Sequence, residues 1–313
     1  MVATLLKPTP EGVKTAADIL RGGGLVAVPT ETVYGLAADA ANPAAVARVF
    51  EAKGRPRFNP LIAHVSGLDM AAAEGRLTAS AASCAASYWP GPLTLVVPAA
   101  AGGQVCELAR AGLDTIALRQ PSDAITQDII TALGRPIAAP SANRSGHISP
   151  VTPGDVQDEL GDRIDAIMDG GRCPLGLEST ILGFNGAQPA LLRPGALERE
   201  EIEAFLGAPL SGPEAGGPAI SPGQSPRHYA PNAALRLDAA GAEAGEVFVG
   251  FGAVAGDYSL SPDGALKEAA ANLYPLLRHL DRTHDRIAIC PLPRRGLGEA
   301  INDRLRRAAM AAD

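Results

Sequence analysis

The 313-residue chain has few cysteines, few aromatic residues and no long apolar run. Its four cysteines, Cys84, Cys106, Cys173 and Cys290, are far apart and form no C-x-x-C pair, which argues against a zinc ribbon and against a disulfide framework. The apolar runs stay short of the roughly 20 residues that a membrane helix needs. The N-terminal segment lacks a signal-peptide pattern. We therefore expect reduced thiols and a cytoplasmic protein with no membrane contact.

Positive charge and known catalytic signatures are also scarce. The formal net charge of -7 disfavours nonspecific binding of nucleic acid across the whole surface. The sequence has no P-loop, H-E-x-x-H or G-x-S-x-G pattern, and no carboxylate cluster with the spacing of metal ligands. A functional site in this chain must therefore be built from hydroxyl groups and a few local cations.

Two neighbouring segments supply such groups. The apolar residues 25–28 predict a buried strand, and the polar residues 29–32 (Pro-Thr-Glu-Thr) follow at its carboxyl end. Further along, Lys53, Arg55 and Arg57 lie within five residues and are interrupted by glycine and proline. Three cations on a stiff, non-helical loop suit a bound phosphate or carboxylate. The alternative is that they end a helix, where the macrodipole favours positive charge.

Strand and helix patterns alternate before residue 207, which predicts an α/β sheet with mostly crossover connections. The predicted strands cover residues 25–28, 61–65, 93–97, 115–119, 137–139, 179–184 and 190–193. The predicted helices cover residues 43–52, 79–88, 153–160 and 198–206, and one more follows a cap at Ser122. The turn between the last two strands is too short for a crossover, so these strands should form an antiparallel hairpin in a mixed sheet.

The composition changes at residues 208–231, where six prolines and few large apolar residues predict a linker. Beyond it, the predicted elements are strands at 245–252 and 286–290 and helices at 265–280 and 300–309. This order predicts a small Rossmann-like domain, although no G-x-G-x-x-G fingerprint indicates a dinucleotide site. We therefore expect a catalytic domain at 1–207, a linker at 208–231 and a small domain at 232–313.

Further polar motifs follow predicted strands, where open α/β sheets tend to bind ligands. They are TIALR (115–119), APSANRSGHIS (139–149), EST (178–180) and RPG (193–195). Each has a plainer interpretation. Arg119 and Arg193 could be surface ion-pair partners, SANRSG could be an ordinary polar turn, and Ser179 and Thr180 could be strand hydroxyls. Outside these motifs, His64 ends a predicted strand and could be a hydrogen-bonded core residue.

Eight segments in order resemble one family, the threonylcarbamoyl-AMP synthases. They are TETVYGL, KGRPRFNPL, WPGPLT, TIALRQP, APSANRSGHISPVT, ESTILGF, LLRPG and SPGQSPRHYAP. The last segment and the small C-terminal domain are similar to those of the two-domain members. Residues 224–226 (Gln-Ser-Pro) depart from the larger residues, often Lys-Tyr, usual at this place.

The resemblance implies a YrdC-like fold, with a twisted open mixed sheet and flanking helices. It implies an enzyme that makes threonylcarbamoyl-AMP and pyrophosphate from L-threonine, bicarbonate or CO2, and ATP, with Mg2+ accompanying ATP and no metal bound by the protein. The catalytic residues it implies are Lys53 and Arg55. The threonine-binding residues are Thr32, His64, Arg119, Ala139 and Ser179. The ATP-binding residues are Arg55, Asn59, Thr115, Ser141, Ser149, Arg193 and Tyr229.

The resemblance also implies that the product passes to the tRNA threonylcarbamoyl transferase machinery, for a modification beside the anticodon, without requiring direct tRNA binding. One alternative is an RNA-binding module of the same fold without turnover, although the acidic net charge counts against it. Another is a carbamoyltransferase of hydrogenase maturation, but the acylphosphatase-like domain and the cysteine-paired zinc fingers of those proteins are not in this sequence.

The linker carries one dense cluster, Arg227, His228 and Tyr229. A plain spacer has no need of such residues, so we interpret them as a latch that closes the linker over bound nucleotide. Proline already limits the freedom that closure would remove, and closure would exclude water from a labile anhydride. The alternative is that the cluster only docks the second domain.

Overall fold

The computed structural model describes residues 2–56, 58–184, 188–212 and 228–310, which form two β-sheets with accompanying helices. The strands of the first sheet are β1 (Thr4–Leu6), β2 (Val26–Val28), β3 (Gly35–Asp39), β4 (Ile62–His64), β5 (Leu93–Pro98), β6 (Thr115–Arg119), β7 (Ile137–Ala138), β8 (Ala166–Met168), β9 (Thr180–Gly183) and β10 (Ala190–Arg193). The helices among them are α1 (Pro10–Arg21), α2 (Pro43–Lys53), α3 (Leu68–Glu74), α4 (Ala79–Tyr88), α5 (Ala124–Leu133), α6 (Pro153–Leu160) and α7 (Arg199–Leu206). The second sheet contains β11 (Ala234–Arg236), β12 (Val247–Gly250), β13 (Tyr258–Ser259) and β14 (Arg286–Ile289), with α8 (Leu266–Asp281) and α9 (Leu297–Ala309).

The first sheet mixes parallel and antiparallel pairs in the order β1-β8-β2-β3-β7-β4-β6-β5-β9-β10. The hairpin of β9 and β10 is antiparallel, as predicted, although residues 185–187 of its turn lie outside the described residues. The second sheet has the order β11-β14-β12-β13, and all its described pairs are parallel. The predicted fold class, a mixed sheet plus a small Rossmann-like sheet, is confirmed. The domain limits stay a prediction, because residues 213–227 of the linker lie outside the described ranges.

Most helices begin where side chains can satisfy the free backbone N–H groups of the first turn. The side chain of Asn42 caps α2, and Thr152 caps α6 in a capping box, each followed by proline. The predicted cap at Ser122 is wrong. Asp123 caps α5 instead, because its Oδ1 accepts the N–H of Thr126 at 2.9 Å, and a carboxylate there also favours the helix dipole.

The last helix begins at Leu297, three residues before the predicted start at residue 300. The prediction placed Gly298 in a loop, whereas the structure uses it inside the first helical turn. A Cβ at Gly298 would lie 2.0 Å from the carbonyl oxygen of Pro293, so this close approach requires glycine. Sequence reasoning also missed strands of two to five residues, such as β3, whose glycine and alanine content is weak in strand propensity.

The helices of the second sheet contact the part of the chain that forms the first sheet and its helices. One apolar cluster joins residues of both sheets, including Leu93 and Leu95 on β5 and Leu273 and Leu277 on α8. Ion pairs cross the same boundary, for example between α7 and α9. The two parts therefore share a buried interface. Among the described helices, none has both the length and the apolar character that crossing a bilayer requires.

Candidate active site

A cavity lies on one face of the first sheet, beside β4 and β6. His64 and Arg119 are opposite each other in these strands, and both line the cavity together with Ile62, since alternate residues of a strand share a face. The space between the atoms is ≈ 520 Å³, including the part open to solvent. The lining residues are Thr30, Thr32, Val33, Gly35, Arg55, Ile62, His64, Arg119, Ala139, Pro140, Ser141, Glu178, Ser179, Arg193, His228 and Tyr229.

The structure brings most of the predicted site residues to this cavity. Those that line it are Thr32, Arg55, His64, Arg119, Ala139, Ser141, Ser179, Arg193 and Tyr229. The lining residues form two electrostatic groups. We call Thr32, His64 and Arg119, with the neighbouring Glu31, the Arg119 side. We call Arg55, Arg193, His228 and Tyr229, which line the rest of the charged part of the cavity, the Arg55–Arg193 side.

Arg119 is fixed by its surroundings. Its side chain is 4% exposed, and its Nη2 lies 2.8 Å from Oε1 of Glu31. Its Nε donates to the carbonyl oxygen of Gly91 at 3.3 Å. Although Glu31 is close enough for an ion pair, neither of its oxygens has a hydrogen-bond partner among the described residues. The two opposite charges therefore balance on this side, and Arg119 has N–H groups that neither Glu31 nor Gly91 uses.

His64 is a neutral imidazole. Burial, followed by the charge of Arg119, lowers its pKa to about 3. Its Nδ1 is buried and has no hydrogen-bond partner within the described part of the chain. Because burying an unpaired polar atom is unfavourable, this nitrogen is a strong candidate for a ligand contact. A group with so low a pKa is poorly suited to act as a base near neutral pH.

Hydroxyl groups complete the Arg119 side. The hydroxyls of Thr32 and Thr30 are 2.7 Å apart, and that of Ser179 lies 2.7 Å from the hydroxyl of Thr94 on β5. Ser179 also links the two sides, because Arg193 donates to its carbonyl oxygen at 2.9 Å and to its hydroxyl at 3.2 Å. A ligand that contacts Ser179 would therefore feel the positive charge of Arg193.

On the Arg55–Arg193 side, the guanidinium of Arg55 contacts two carbonyl oxygens. Arg55 donates to the carbonyl oxygens of Asn59 at 3.3 Å and of Pro60 at 3.1 Å. Burial lowers the pKa of Arg55 to about 10, and it also lowers the pKa of Arg193. With a pKa of about 10, Arg55 keeps its charge at neutral pH. Arg55 is thus a buried cation suited to an anionic ligand.

Lys53 does not line the cavity. Its Nζ donates to the carbonyl oxygen of Ser141 at 2.6 Å and to that of Asn143. Burial, followed by the nearby charge of Arg55, lowers the pKa of Lys53 well below its usual range. The amine therefore holds the loop that presents Ser141, and its predicted contact with phosphate stays a prediction.

Three other predicted residues lie away from the cavity. Asn59 lines an adjacent space next to His228. Ser149 is buried, and its hydroxyl donates to Glu178 at 2.6 Å. Thr115 opens β6, four residues before Arg119, which is roughly 13 Å along an extended strand. The structure therefore does not bring Thr115 to the cavity. Arg57 lies outside the described residues.

Sequence reasoning missed two buried carboxylates, Glu31 and Glu178. Burial raises the pKa of Glu178, but Arg304 and then Arg193 outweigh that effect and bring the pKa to about 2. Both glutamates stand alone among hydroxyl-bearing and apolar residues, in TETVYGL and ESTILGF. A single acidic residue in such surroundings was the available signal, because a buried carboxylate needs a partner.

His228 and Tyr229 of the predicted latch also line the cavity, whereas Arg227 lies outside the described residues. Tyr229 is 1% exposed, and its ring stacks on Tyr274 of α8 at a centroid distance of 5.8 Å. Its hydroxyl has no hydrogen-bond partner among the described residues. Tyr229 therefore contacts both the cavity and the second sheet, and closure of the linker stays a prediction.

Within the described ranges, no group of three or more His, Cys, Asp or Glu residues is placed to hold a metal ion. Buried cations, hydroxyls and neutral imidazoles dominate the cavity instead. Such an arrangement can bind anions, orient them and stabilise negative charge that develops during a reaction.

Comparisons with known proteins cover almost the whole chain. Residues 18–195 match the family profile described as telomere recombination, and residues 197–310 match that of the threonylcarbamoyl-AMP synthase C-terminal domain. The sequence is 40% identical to the threonylcarbamoyl-AMP synthase of Pyrococcus abyssi, over 95% of this chain and 94% of the relative. It is 38% identical to that of Bacillus subtilis, over 94% of this chain and 92% of the relative. The crystal structure of P. abyssi Sua5 complexed with L-threonine superposes with a TM-score of 0.90 at 37% identity, covering 99% of this chain and 98% of that chain.

Proposed function

This chain belongs to the threonylcarbamoyl-AMP synthase family, and on that premise we propose that it makes L-threonylcarbamoyl-AMP and pyrophosphate from L-threonine, bicarbonate or CO2, and ATP. It is accordingly a nucleotidyltransferase. The observation that carries the proposal is one cavity with Arg119 beside a carboxylate on one side and the buried cations Arg55 and Arg193 on the other.

The chemistry consists of two bond-forming steps. The neutral amine of threonine attacks the carbon of CO2, and the nitrogen releases a proton to give a carbamate. An oxygen of the carbamate then attacks the α-phosphorus of ATP, and the bond from that phosphorus to the bridging oxygen of pyrophosphate breaks. Both steps depend on bringing the reactants together and on neutralising negative charge.

On the Arg119 side, the substrate carboxylate would meet the N–H groups that Arg119 directs neither at Gly91 nor at Glu31. Thr32, His64 and Ser179 surround that position, with the backbone at Ala139 closing it. A neutral His64 can exchange a hydrogen bond with the threonine hydroxyl or amine without adding charge. This set therefore suits a small zwitterion that carries a hydroxyl group.

On the Arg55–Arg193 side, the same physics suits the triphosphate. Charge interactions are stronger in a buried site than in water, because the effective dielectric constant is lower. We propose that Arg55 and Arg193 bind phosphate oxygens and that Lys53 fixes the Ser141 loop beside them. Mg2+ would arrive as part of the ATP substrate, held by phosphate oxygens and water, as is usual for this ion.

The product is a reactive mixed anhydride, so a transferase must consume it soon after it forms. We propose that the tRNA threonylcarbamoyl transferase machinery receives it in the cytoplasm, and that direct tRNA binding is not required. The alternative, an RNA-binding module without turnover, is not favoured, because relatives matched over nearly the whole chain are named as synthases.

The test is incubation of the purified chain with ATP, L-threonine and 13C-bicarbonate, followed by mass detection of the adenylate. We expect a product that carries the label, with pyrophosphate formed in equal amount. Samples without threonine should give neither. Release of pyrophosphate without a labelled adenylate would reject the proposed reaction, and RNA binding without any turnover would support the alternative.

A further inference from the structure

The buried carboxylate of Glu178 accepts most of its hydrogen bonds from the helices that accompany the second sheet. Its oxygens accept hydrogen bonds from Ser149 at 2.6 Å, from the hydroxyl of Tyr274 at 2.9 and 3.0 Å, and from Nε of Arg304 at 2.8 Å. Tyr274 lies on α8 and Arg304 lies on α9. Two of these three donors therefore come from helices outside the sheet that carries the cavity.

The contacts of Glu178 affect the cavity, because Glu178 is itself a cavity residue. Glu178 lines the cavity and directly precedes Ser179, whose carbonyl oxygen and hydroxyl accept hydrogen bonds from Arg193. Arg304 also donates to the carbonyl oxygen of Pro194 at 2.9 Å, next to Arg193 in the chain. Helices α8 and α9 thus contact both backbone segments that present Ser179 and Arg193.

The charges of this cluster depend on one another. Glu178 is 6% exposed and Arg304 is 1% exposed, and a carboxylate so deeply buried needs a cation to stay ionised at low cost. Arg304 is the cation with the strongest effect on Glu178, and Arg193 is the next. If Arg304 were lost, Glu178 would draw on the charge of Arg193 or become protonated.

The same two residues also support the latch tyrosine. The guanidinium carbon of Arg304 lies 5.0 Å from the centre of the Tyr229 ring, and the ring of Tyr274 stacks on that of Tyr229 at a centroid distance of 5.8 Å. Contacts of a cation with an aromatic face are favourable, particularly where water is excluded. Arg304 and Tyr274 therefore contact two cavity residues, Glu178 and Tyr229.

We propose that Tyr274 of α8 and Arg304 of α9, the helices that accompany the second sheet, are positioning residues for the synthase reaction. They hold Glu178 in place, so that the charge of Arg193 remains directed at ATP and the hydroxyl of Ser179 remains directed at threonine. This inference rests on the proposed function. It assigns helices α8 and α9 a role in positioning active-site residues, which a domain that is only attached to the first would not have.

A plainer role for these residues is to fasten the two sheets together. The pair of Arg199 and Glu299 crosses the same boundary at 2.7 Å, and neither residue lines the cavity. Arg199→Met is therefore a matched control, because it removes an interdomain cation of the same type without touching Glu178. A docking role predicts that Arg199→Met and Arg304→Met behave alike in the assay.

The experiment measures adenylate formation by the full chain while ATP and threonine are varied separately. For Arg304→Met we expect kcat/KM for ATP to fall by at least about tenfold, as for loss of a charge-assisted interaction. Arg304→Lys should recover part of that loss, because it restores the charge near Glu178. Tyr274→Phe removes only a hydroxyl, so a fall of about threefold is expected. Arg199→Met should leave both KM values within about twofold of the wild type.

Thermal unfolding of each variant is measured in parallel. A folded Arg304→Met chain with wild-type kcat and KM for both substrates would overturn the inference while leaving the proposed function intact. Equal losses in Arg304→Met and Arg199→Met would also overturn it in favour of docking. If Arg304→Met does not fold, Tyr274→Phe decides by the same comparison with Arg199→Met. A wild-type chain that forms no adenylate would instead reject the proposed function itself.

Discussion

The two sides of the cavity differ in the charged groups that they contain. On the Arg119 side, a buried guanidinium lies 2.8 Å from the buried carboxylate of Glu31, so the local charge is nearly balanced. On the other side, Arg55 donates to carbonyl oxygens, and Arg193 donates to Ser179. The carboxylate closest to that side, Glu178, has its own cation in Arg304. The Arg55–Arg193 side therefore carries two buried guanidinium groups, against one on the Arg119 side.

This difference matches the two proposed ligands. Threonine is a zwitterion with no net charge, so its binding beside a pair of opposite charges leaves the net charge of that side unchanged. ATP carries several negative charges, and the two buried guanidinium groups can compensate for the water that these charges lose. Variants that change one side alone should therefore separate the two substrates.

Removal of Arg55 should have the largest effect. Arg55→Ala takes away a buried cation and leaves the carbonyl oxygens of Asn59 and Pro60 without its hydrogen bonds. Because more than one charge-assisted bond of roughly 1.5 to 3 kcal/mol is lost, kcat/KM for ATP should fall by more than about 100-fold. Threonine binding, measured by calorimetry without ATP, should persist.

Lys53→Ala should act on the same side, because it frees the loop at Ser141. Lys53→Arg keeps a cation and serves as the comparison that separates loss of charge from loss of shape. Wild-type turnover in Arg55→Ala, or equal loss of both substrates, would contradict the assignment of this side to ATP.

Removal of Arg119 should have the next largest effect, on the other substrate. Arg119→Ala leaves the threonine carboxylate without its partner and leaves Glu31 as an uncompensated buried charge. The cost of roughly 1.5 to 3 kcal/mol corresponds to about a 10- to 150-fold rise in KM for threonine. ATP binding should change little. Arg135→Ala is the control, since Arg135 pairs with the buried Asp39 at 3.0 Å and lies outside the cavity lining.

Much of the fold could be predicted from the sequence, because the signals were local. The cap and proline at residues 152–153 gave the start of α6, and the short turn after residue 184 gave an antiparallel hairpin. The sequence could not give the strand order, since pairing such as that of β4 with β6 is set by contacts between distant residues. It also could not predict β13, whose two residues are too few for a periodic pattern.

The candidate site was predicted in part for the same reason. His64, Arg119 and Ser179, which were chosen from motif positions, line one cavity, whereas their partners were not visible in the sequence. Glu31 reaches Arg119 across 88 positions of the chain, and Arg304 reaches Glu178 across 126. Pairs so far apart in sequence become neighbours only after folding, so charge balance was the part that sequence reasoning missed.

A change at Glu31 tests that charge balance, with a smaller expected effect. Glu31→Gln keeps the shape of the side chain and removes the negative charge beside Arg119. Because Arg119 then loses the group that fixes its orientation, we expect KM for threonine to rise about fivefold, corresponding to roughly 1 kcal/mol. KM for ATP should stay unchanged.

Glu74→Gln is the matched control for Glu31→Gln. Glu74 is also buried, but its oxygens accept the backbone N–H groups of Gln104 and Val105, away from the cavity. It should lower thermal stability without changing KM for threonine. A fall in KM for threonine in Glu31→Gln would contradict the orienting role and would show that Glu31 competes with the substrate carboxylate.

The smallest effect on activity is expected from the two cavity histidines, one on each side. Burial is the main cause that lowers the pKa of both His64 and His228 from the ordinary 6.5 to about 3. Both are therefore neutral in the folded protein between pH 6 and 8, and activity should show no histidine step there.

The stability of the protein should depend on pH instead. As the pH falls below 6.5, the unfolded chain binds protons that the folded chain excludes, so the free energy of unfolding should decrease by roughly 1.4 kcal/mol per pH unit for each such histidine. Urea unfolding at a series of pH values from 8 to 4 measures this slope, and His64→Gln and His228→Gln should each reduce it by about one proton. A step in activity near pH 6.5 that disappears in His64→Gln would show that His64 titrates in the folded enzyme. The Arg119 side would then contain a charged imidazole as well as a charged guanidinium, which contradicts the neutral role given to His64.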